Sequence, residues 1–107
     1  MAPSRTEMLL GFIQQRPSDP FPRYALAMEY KNTDRLQDAR KVFADLMASS
    51  PDYTATYLHA GNVLVALGQI AEARGIYESG IEVCARVGDS HARGELEGAL
   101  ASLPGAR

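Results

Sequence analysis

Apolar positions recur at helical spacing in "RLQDARKVFADLM", Arg35 to Met47, where Leu36, Ala39, Val42, Phe43, Leu46 and Met47 form one stripe. That spacing predicts an amphipathic helix with one face turned inward. The pattern returns 34 residues later in "QIAEARGIYESGI", Gln69 to Ile81, pairing Leu36 with Ile70, Asp38 with Glu72, Ala39 with Ala73, Arg40 with Arg74, Val42 with Ile76, Phe43 with Tyr77 and Met47 with Ile81. A second helical pattern runs from Tyr24 through Leu26, Ala27 and Tyr30 to "KNTD", where Asn32, Thr33 and Asp34 offer turn and N-cap chemistry. Its counterpart, Tyr57 to Leu67, ends at Gly68, a natural helix stop. Each unit is therefore expected to be a helix, a short turn and a helix.

A helix-turn-helix period of this length resembles the tetratricopeptide repeat, whose signature places W-x2-L-G-x2-Y before A-x3-F and a closing proline. The first unit offers Arg23, Leu26, Ala27, Tyr30, Ala39, Phe43 and Pro51; the second offers Tyr57, Ala60, Gly61, Leu64, Ala73 and Tyr77, with Ala85 in the proline's place. Small Ala27, Gly61, Ala39 and Ala73 suit close helix approach, and Phe43 and Tyr77 suit the space between units. The departures are the missing tryptophan, Arg23 at an aromatic place, and Leu46 and Gly80 where the family usually has alanine.

Shifting the pattern backwards carries Phe43 to Leu9, Leu46 to Phe12, Met47 to Ile13 and Pro51 to Pro17. The opening "SRTEMLLGFIQQRP" thus reads as the second helix of a unit without its first, started by a Ser4–Glu7 capping box. At the other end the helix from Ile70 is expected to reach Val87 and stop at Gly88. A last helix, about Ser90 to Ser102, then carries Leu96, Leu100 and Leu103 after a register slip of two residues, like the capping helix of the family. The expected fold is all-α: a helical-hairpin repeat solenoid of about six antiparallel helices in one domain. Its parts are a half repeat at 4–16, repeats at 20–51 and 53–87, a cap at 90–103, and a frayed tail at 104–107.

Composition narrows the chemistry. Eleven Lys and Arg against thirteen Asp and Glu leave a formal charge of −2, far from the basic surface that a phosphate backbone requires, so nucleic acid is not an expected partner. The longest apolar run, "NVLVALG", falls well short of the roughly 20 residues a membrane span needs, and the N-terminus lacks the form of a secretion signal. A cytoplasmic location is expected, in keeping with the single Cys84. His59 and His91 have no ligand-spaced companions, so no metal site is expected. No phosphate-cradling loop or nucleophile motif is present, and Cys84 reads as a packed mid-helix thiol. Neither catalysis nor a cofactor is expected.

By resemblance to the family, the first helix of each unit lines a concave groove. Its lining here would be Phe21, Tyr24, Met28, Lys31 and Asn32, then Ala55, Leu58, Asn62, Val65 and Ala66, an apolar patch with Lys31 and Asn62 as polar handles. Such a surface suits a partner's peptide or amphipathic helix, making the chain a protein-binding adaptor. The competing reading is that a terminal helix folds over the stripe and makes it core. The family subtype that grips acidic chaperone tails uses Lys, Asn and Arg clusters. Tyr24, Met28, His59, and either Asp89 and Arg93 or His91 and Glu95, stand at those places instead. The alternative function is self-association through the terminal helices, with Met8, Leu9 and Phe12 exposed for want of a partner helix; against it stands an arrangement in which Met8, Leu9, Phe12 and Ile13 all face inward.

Overall fold

The computed structural model describes residues 3–105. Met1, Ala2, Ala106 and Arg107, and with them half of the expected tail, lie outside the described residues. Six helices and no strand occur among the described residues: α1 (Arg5–Gln15), α2 (Pro20–Asn32), α3 (Leu36–Ser49), α4 (Ala55–Ala66), α5 (Ile70–Val87) and α6 (Ser90–Ala101). Consecutive helices pack on one another, and α2, α4 and α6 also touch in series, so the chain forms a stack 51 Å long and 19 Å thin.

Local signals explain most boundaries. Ser4 Oγ accepts from the Glu7 backbone N–H at 3.1 Å and starts α1. Asp19 does the same for Phe21 N–H at 3.0 Å, with Pro20 in the first turn of α2. Gly88 closes α5 with φ 80°, and Gly68 turns the chain after α4 with φ 79°. The α2–α3 turn differs from expectation. No side chain caps α3, whose flanking residue is Arg35. Thr33 instead turns back, its hydroxyl donating to Glu29 C=O at 2.8 Å, and Asp34 takes the left-handed conformation with φ 62°. The turn is too tight for either side chain to reach forward. The dipole at the start of α3 is met by Asp38, which pairs with Arg35 at 2.8 Å.

The apolar stripes meet in two clusters. One gathers Ala27, Ala39, Phe43, Ala60 and Val63; the other gathers Tyr57, Leu64, Ala73, Tyr77, Val83, Cys84, Leu96 and Leu103. Met47 and Ile76 touch both and join them. Burying a large apolar side chain is worth about 1.5–3 kcal/mol, so Phe43 (1% exposed) and Tyr77 (2%) are principal contributors. Gly80 is required rather than anomalous: a Cβ there would lie 2.5 Å from Tyr57 Cβ and 2.8 Å from Leu96 Cδ1. The repeated arginines each reach into the next unit. Arg40 Nη2 binds both Glu72 carboxylate oxygens at 2.9 Å, and Arg74 donates to Pro104 C=O at 3.1 Å. With Leu103 buried, that bond ties down the start of the segment expected to fray.

Candidate functional site

The groove follows from helix order. Because α2, α4 and α6 touch in series, they fall on one side of the stack, and α4 stands in the middle of that side. Its alternating duties show in its residues. Thr56, Tyr57, Ala60, Gly61, Val63 and Leu64 are buried, while Leu58, His59, Asn62 and Val65 are half-buried along the open side.

Two hollows lie along that side. The first, about 270 Å³, is lined by Tyr24, Thr54, Ala55, Leu58 and His59 together with Ala92, Glu95 and Leu96 of α6. The second, about 330 Å³, is lined by Asn62, Val65 and Tyr77 with Ala99, Ser102, Leu103 and Pro104. The cap therefore supplies a third wall to the groove and leaves Leu58 and Val65 half-buried beneath it. Both leucine and valine also pack against the second core cluster, so the stripe is part core and part groove.

The polar groups of the groove are largely engaged. Lys31 Nζ donates to His59 Nδ1 at 3.2 Å, which places the imidazole proton on Nε2 of a neutral ring. Burial lowers the His59 pKa, and the Lys31 ammonium lowers it further, with Glu95 acting in the opposite sense. Tyr77 donates its hydroxyl to Asn62 Oδ1 at 2.5 Å. Tyr24 stands edge-on to His59, ring centroids 6.0 Å apart, and is tilted against Tyr53 at 5.6 Å. Burial raises the pKa of both tyrosines. At the mouth, Thr54 donates to Asp89 Oδ2 at 2.6 Å and Asp89 Oδ1 caps α6, and these bonds hold the Asp89 carboxyl below its usual range. Cys84 is enclosed, and burial pushes its thiol up, away from the reactive thiolate. Among the described residues no group of three His, Cys, Asp or Glu side chains could hold a metal ion, and no helix is long and apolar enough to cross a membrane.

The structure thus brings together Tyr24, Leu58, Asn62 and Val65 along one surface, with Met28 and Lys31 on the same helix as Tyr24. Phe21 stands apart. It is 59% exposed and borders a separate hollow of about 250 Å³ with Phe12, Gln15, Arg16, Asp19 and Pro22. Its place at the tip of α2 turns it towards α1 and away from α4. Leu9 also departs from the exposed set: it is buried, whereas Met8 (49%) and Phe12 (45%) are not. The inward arrangement of all four α1 residues does not hold either. Thr54, Ala92, Glu95, Ser102 and Leu103 line the two hollows although they are absent from the expected lining. The two-residue slip that fits α6 to the repeat carries His59 to Glu95, and was the available signal for that wall.

Residues 33–83 match the sequence profile of the tetratricopeptide repeat. No curated protein matches the chain. Among solved structures, the solution structure of a tetratricopeptide repeat domain protein from Salinibacter ruber is 36% identical, covers 85% of this chain and 92% of its own, and superposes with a TM-score of 0.78. A crystal structure of a tetratricopeptide repeat domain protein from the same organism is also 36% identical, with coverage of 83% and 100% and a TM-score of 0.77. A Bordetella parapertussis protein, 24% identical with coverage of 92% and 86% and a TM-score of 0.79, shares the fold.

Proposed function

The chain belongs to the tetratricopeptide repeat family, a protein-interaction fold, and from that premise we propose that it is a non-catalytic adaptor that binds a peptide or helix of a partner protein along α4. The observation that carries this reading is the pair of hollows at Leu58 and Val65, half-buried apolar positions on the side of the stack formed by α2, α4 and α6. Seven residues of helix separate them, about 10 Å along the axis. An amphipathic helix presents anchors at that spacing two turns apart, and a polyproline-like segment presents them about three residues apart. Because Lys31, His59 and Asn62 already have partners within the groove, apolar side chains are expected to supply the affinity, with Glu95 at the rim selecting against nearby acid.

A panel of labelled helical and extended peptides bearing two apolar anchors at those spacings tests the proposal by fluorescence anisotropy. Leu58→Asp and Val65→Asp are expected to weaken the best binder at least tenfold, while Ala101→Asp, which borders neither hollow, leaves it unchanged. Circular dichroism of each variant separates lost binding from lost fold. Binding that survives both groove substitutions would remove the groove as the site.

Self-association is a second reading, favoured by one observation. Of the large apolar residues exposed among the described residues, Met8, Leu10, Phe12 and Phe21 all lie in α1 and the first turn of α2, and Val87 alone lies elsewhere.

A further inference from the structure

The two hollows of the groove differ in their chemistry. The one at Val65 has Asn62, Tyr77 and Ser102 as its polar lining, all uncharged. The one at Leu58 is walled by the rings of Tyr24 and His59, and Tyr53 leans on Tyr24 from outside the lining, ring centroids 5.6 Å apart. Glu95 of α6 lines the same hollow and brings a carboxylate to those rings.

That carboxylate is accessible. Its contact within the chain, His91 Nε2 at 3.6 Å, is 89% exposed and forms an ion pair with it only when protonated. Its charge reaches both rings, adding to burial and Tyr53 in raising the Tyr24 pKa and opposing the downward shift at His59. Two further acids stand nearby. Asp89 is held ionised by the Thr54 hydroxyl and the Ala92 N–H, and Asp19 adds to burial in raising the Tyr53 pKa. On the basic side, Lys31 is bonded to His59 Nδ1 at 3.2 Å and Arg93 to Glu97 at 3.4 Å, and neither lines the hollow. The balance around the rings is negative, whereas the Val65 hollow is neutral.

A tyrosine face attracts a cation within about 6 Å of the ring centre. A guanidinium is planar, so it can lie on such a ring and still donate two hydrogen bonds from its edge to a carboxylate, which an ammonium cannot do. Deepening the groove reading, on which this rests, we propose that the partner's segment carries an arginine one helical turn outside its anchor at Leu58, stacked on Tyr24 and paired with Glu95. The aliphatic stem of that arginine lies along Leu58 and Ala92. The apolar anchors hold the segment and the arginine orients it, with its basic end at Leu58 and its uncharged end at Val65.

Capped amphipathic helical peptides with two leucine anchors seven residues apart test this by fluorescence anisotropy at physiological salt. Arginine, lysine or citrulline, the uncharged isostere of arginine, is placed one turn before the first anchor or one turn after the second, since either end can face Leu58. In at least one placement the arginine peptide is expected to bind about fivefold tighter than its citrulline twin, with lysine between them. Glu95→Gln and Tyr24→Leu should each remove most of that preference. Glu95→Gln alters an exposed side chain, so it reports even if Tyr24→Leu unfolds. Failure of every peptide to bind overturns the groove reading and the arginine with it. Peptides that bind equally with arginine and citrulline in both placements overturn the arginine alone. An arginine preference that Glu95→Gln leaves whole overturns the Leu58 hollow as its site.

Discussion

The Tyr77 ring rests directly on the backbone of Gly61: a Cβ added to that glycine would lie 2.2 Å from Tyr77 Cε1 and 2.6 Å from Cδ1. The ring cannot swing away, being 2% exposed and held through its hydroxyl by Asn62. Gly61→Ala is therefore expected to destabilise the fold by about 1–3 kcal/mol from overpacking, reduced by the roughly 1 kcal/mol that alanine gains in a helix interior. Gly75, also inside a helix, has nothing within 4 Å of a built Cβ, and Gly75→Ala should stabilise by about 0.5–1 kcal/mol. Urea denaturation of the two variants should move the midpoint in opposite directions, and a shared direction would contradict the packing described at Gly61.

Phe43 joins α3 to the facing small residues Ala27 and Ala60. Phe43→Ala should cost about 3–5 kcal/mol, a large part of the roughly 5–15 kcal/mol that holds a domain together. Tyr77→Phe keeps the ring and loses only the bond to Asn62, so about 1 kcal/mol is expected. Both values are read from chemical denaturation with unchanged m-values.

The Thr56 hydroxyl is enclosed, and its Oγ1 has no hydrogen-bond partner among the described residues. Thr56→Val fills the same space without a polar atom to desolvate, and should raise stability by about 1 kcal/mol. A lower melting temperature for the valine variant would show that the hydroxyl does find a partner.

His59 gives the fold a pH dependence of defined sign. Its pKa is lowered in the folded state, first by burial and then by Lys31, so the unfolded chain binds the proton more readily. Stability from the neutral ring is present above the unfolded histidine value, about 6.5, and is lost as pH falls through the lower folded value. The melting temperature of His59→Gln relative to wild type should rise between pH 7.5 and pH 5. A constant difference across that range would contradict a neutral, lysine-bonded His59.

The 34-residue shift made the helices and the two inter-unit aromatics legible because each unit buries the same stripe against its neighbours, and periodicity records burial. The stops at Gly68 and Gly88 were legible for a local reason, since both carry the positive φ that glycine favours. What the shift could not show was the surroundings of a position. Leu46, Gly80 and Phe12 share one register, yet one is enclosed, one is too crowded for a methyl group and one is open to solvent. Leu9 and Phe12 lie on the same apolar stripe of α1, but only the helix that packs against α1 decides which of them is covered. Phe21 and Tyr24 share a face of α2 and still border different hollows, because one lies at the tip beside α1 and the other opposite α4. The third wall of the groove comes from α6, whose slipped register hid it from a fixed period.

The two ends of the stack are anchored unequally. The last helix touches both α4 and α5, and its Leu96 is wholly enclosed, whereas among the described residues α1 rests on α2 alone and contributes only Leu9 to the interior. Spontaneous opening should therefore begin at the first helix, whose amides would exchange with deuterated solvent well before those of the last.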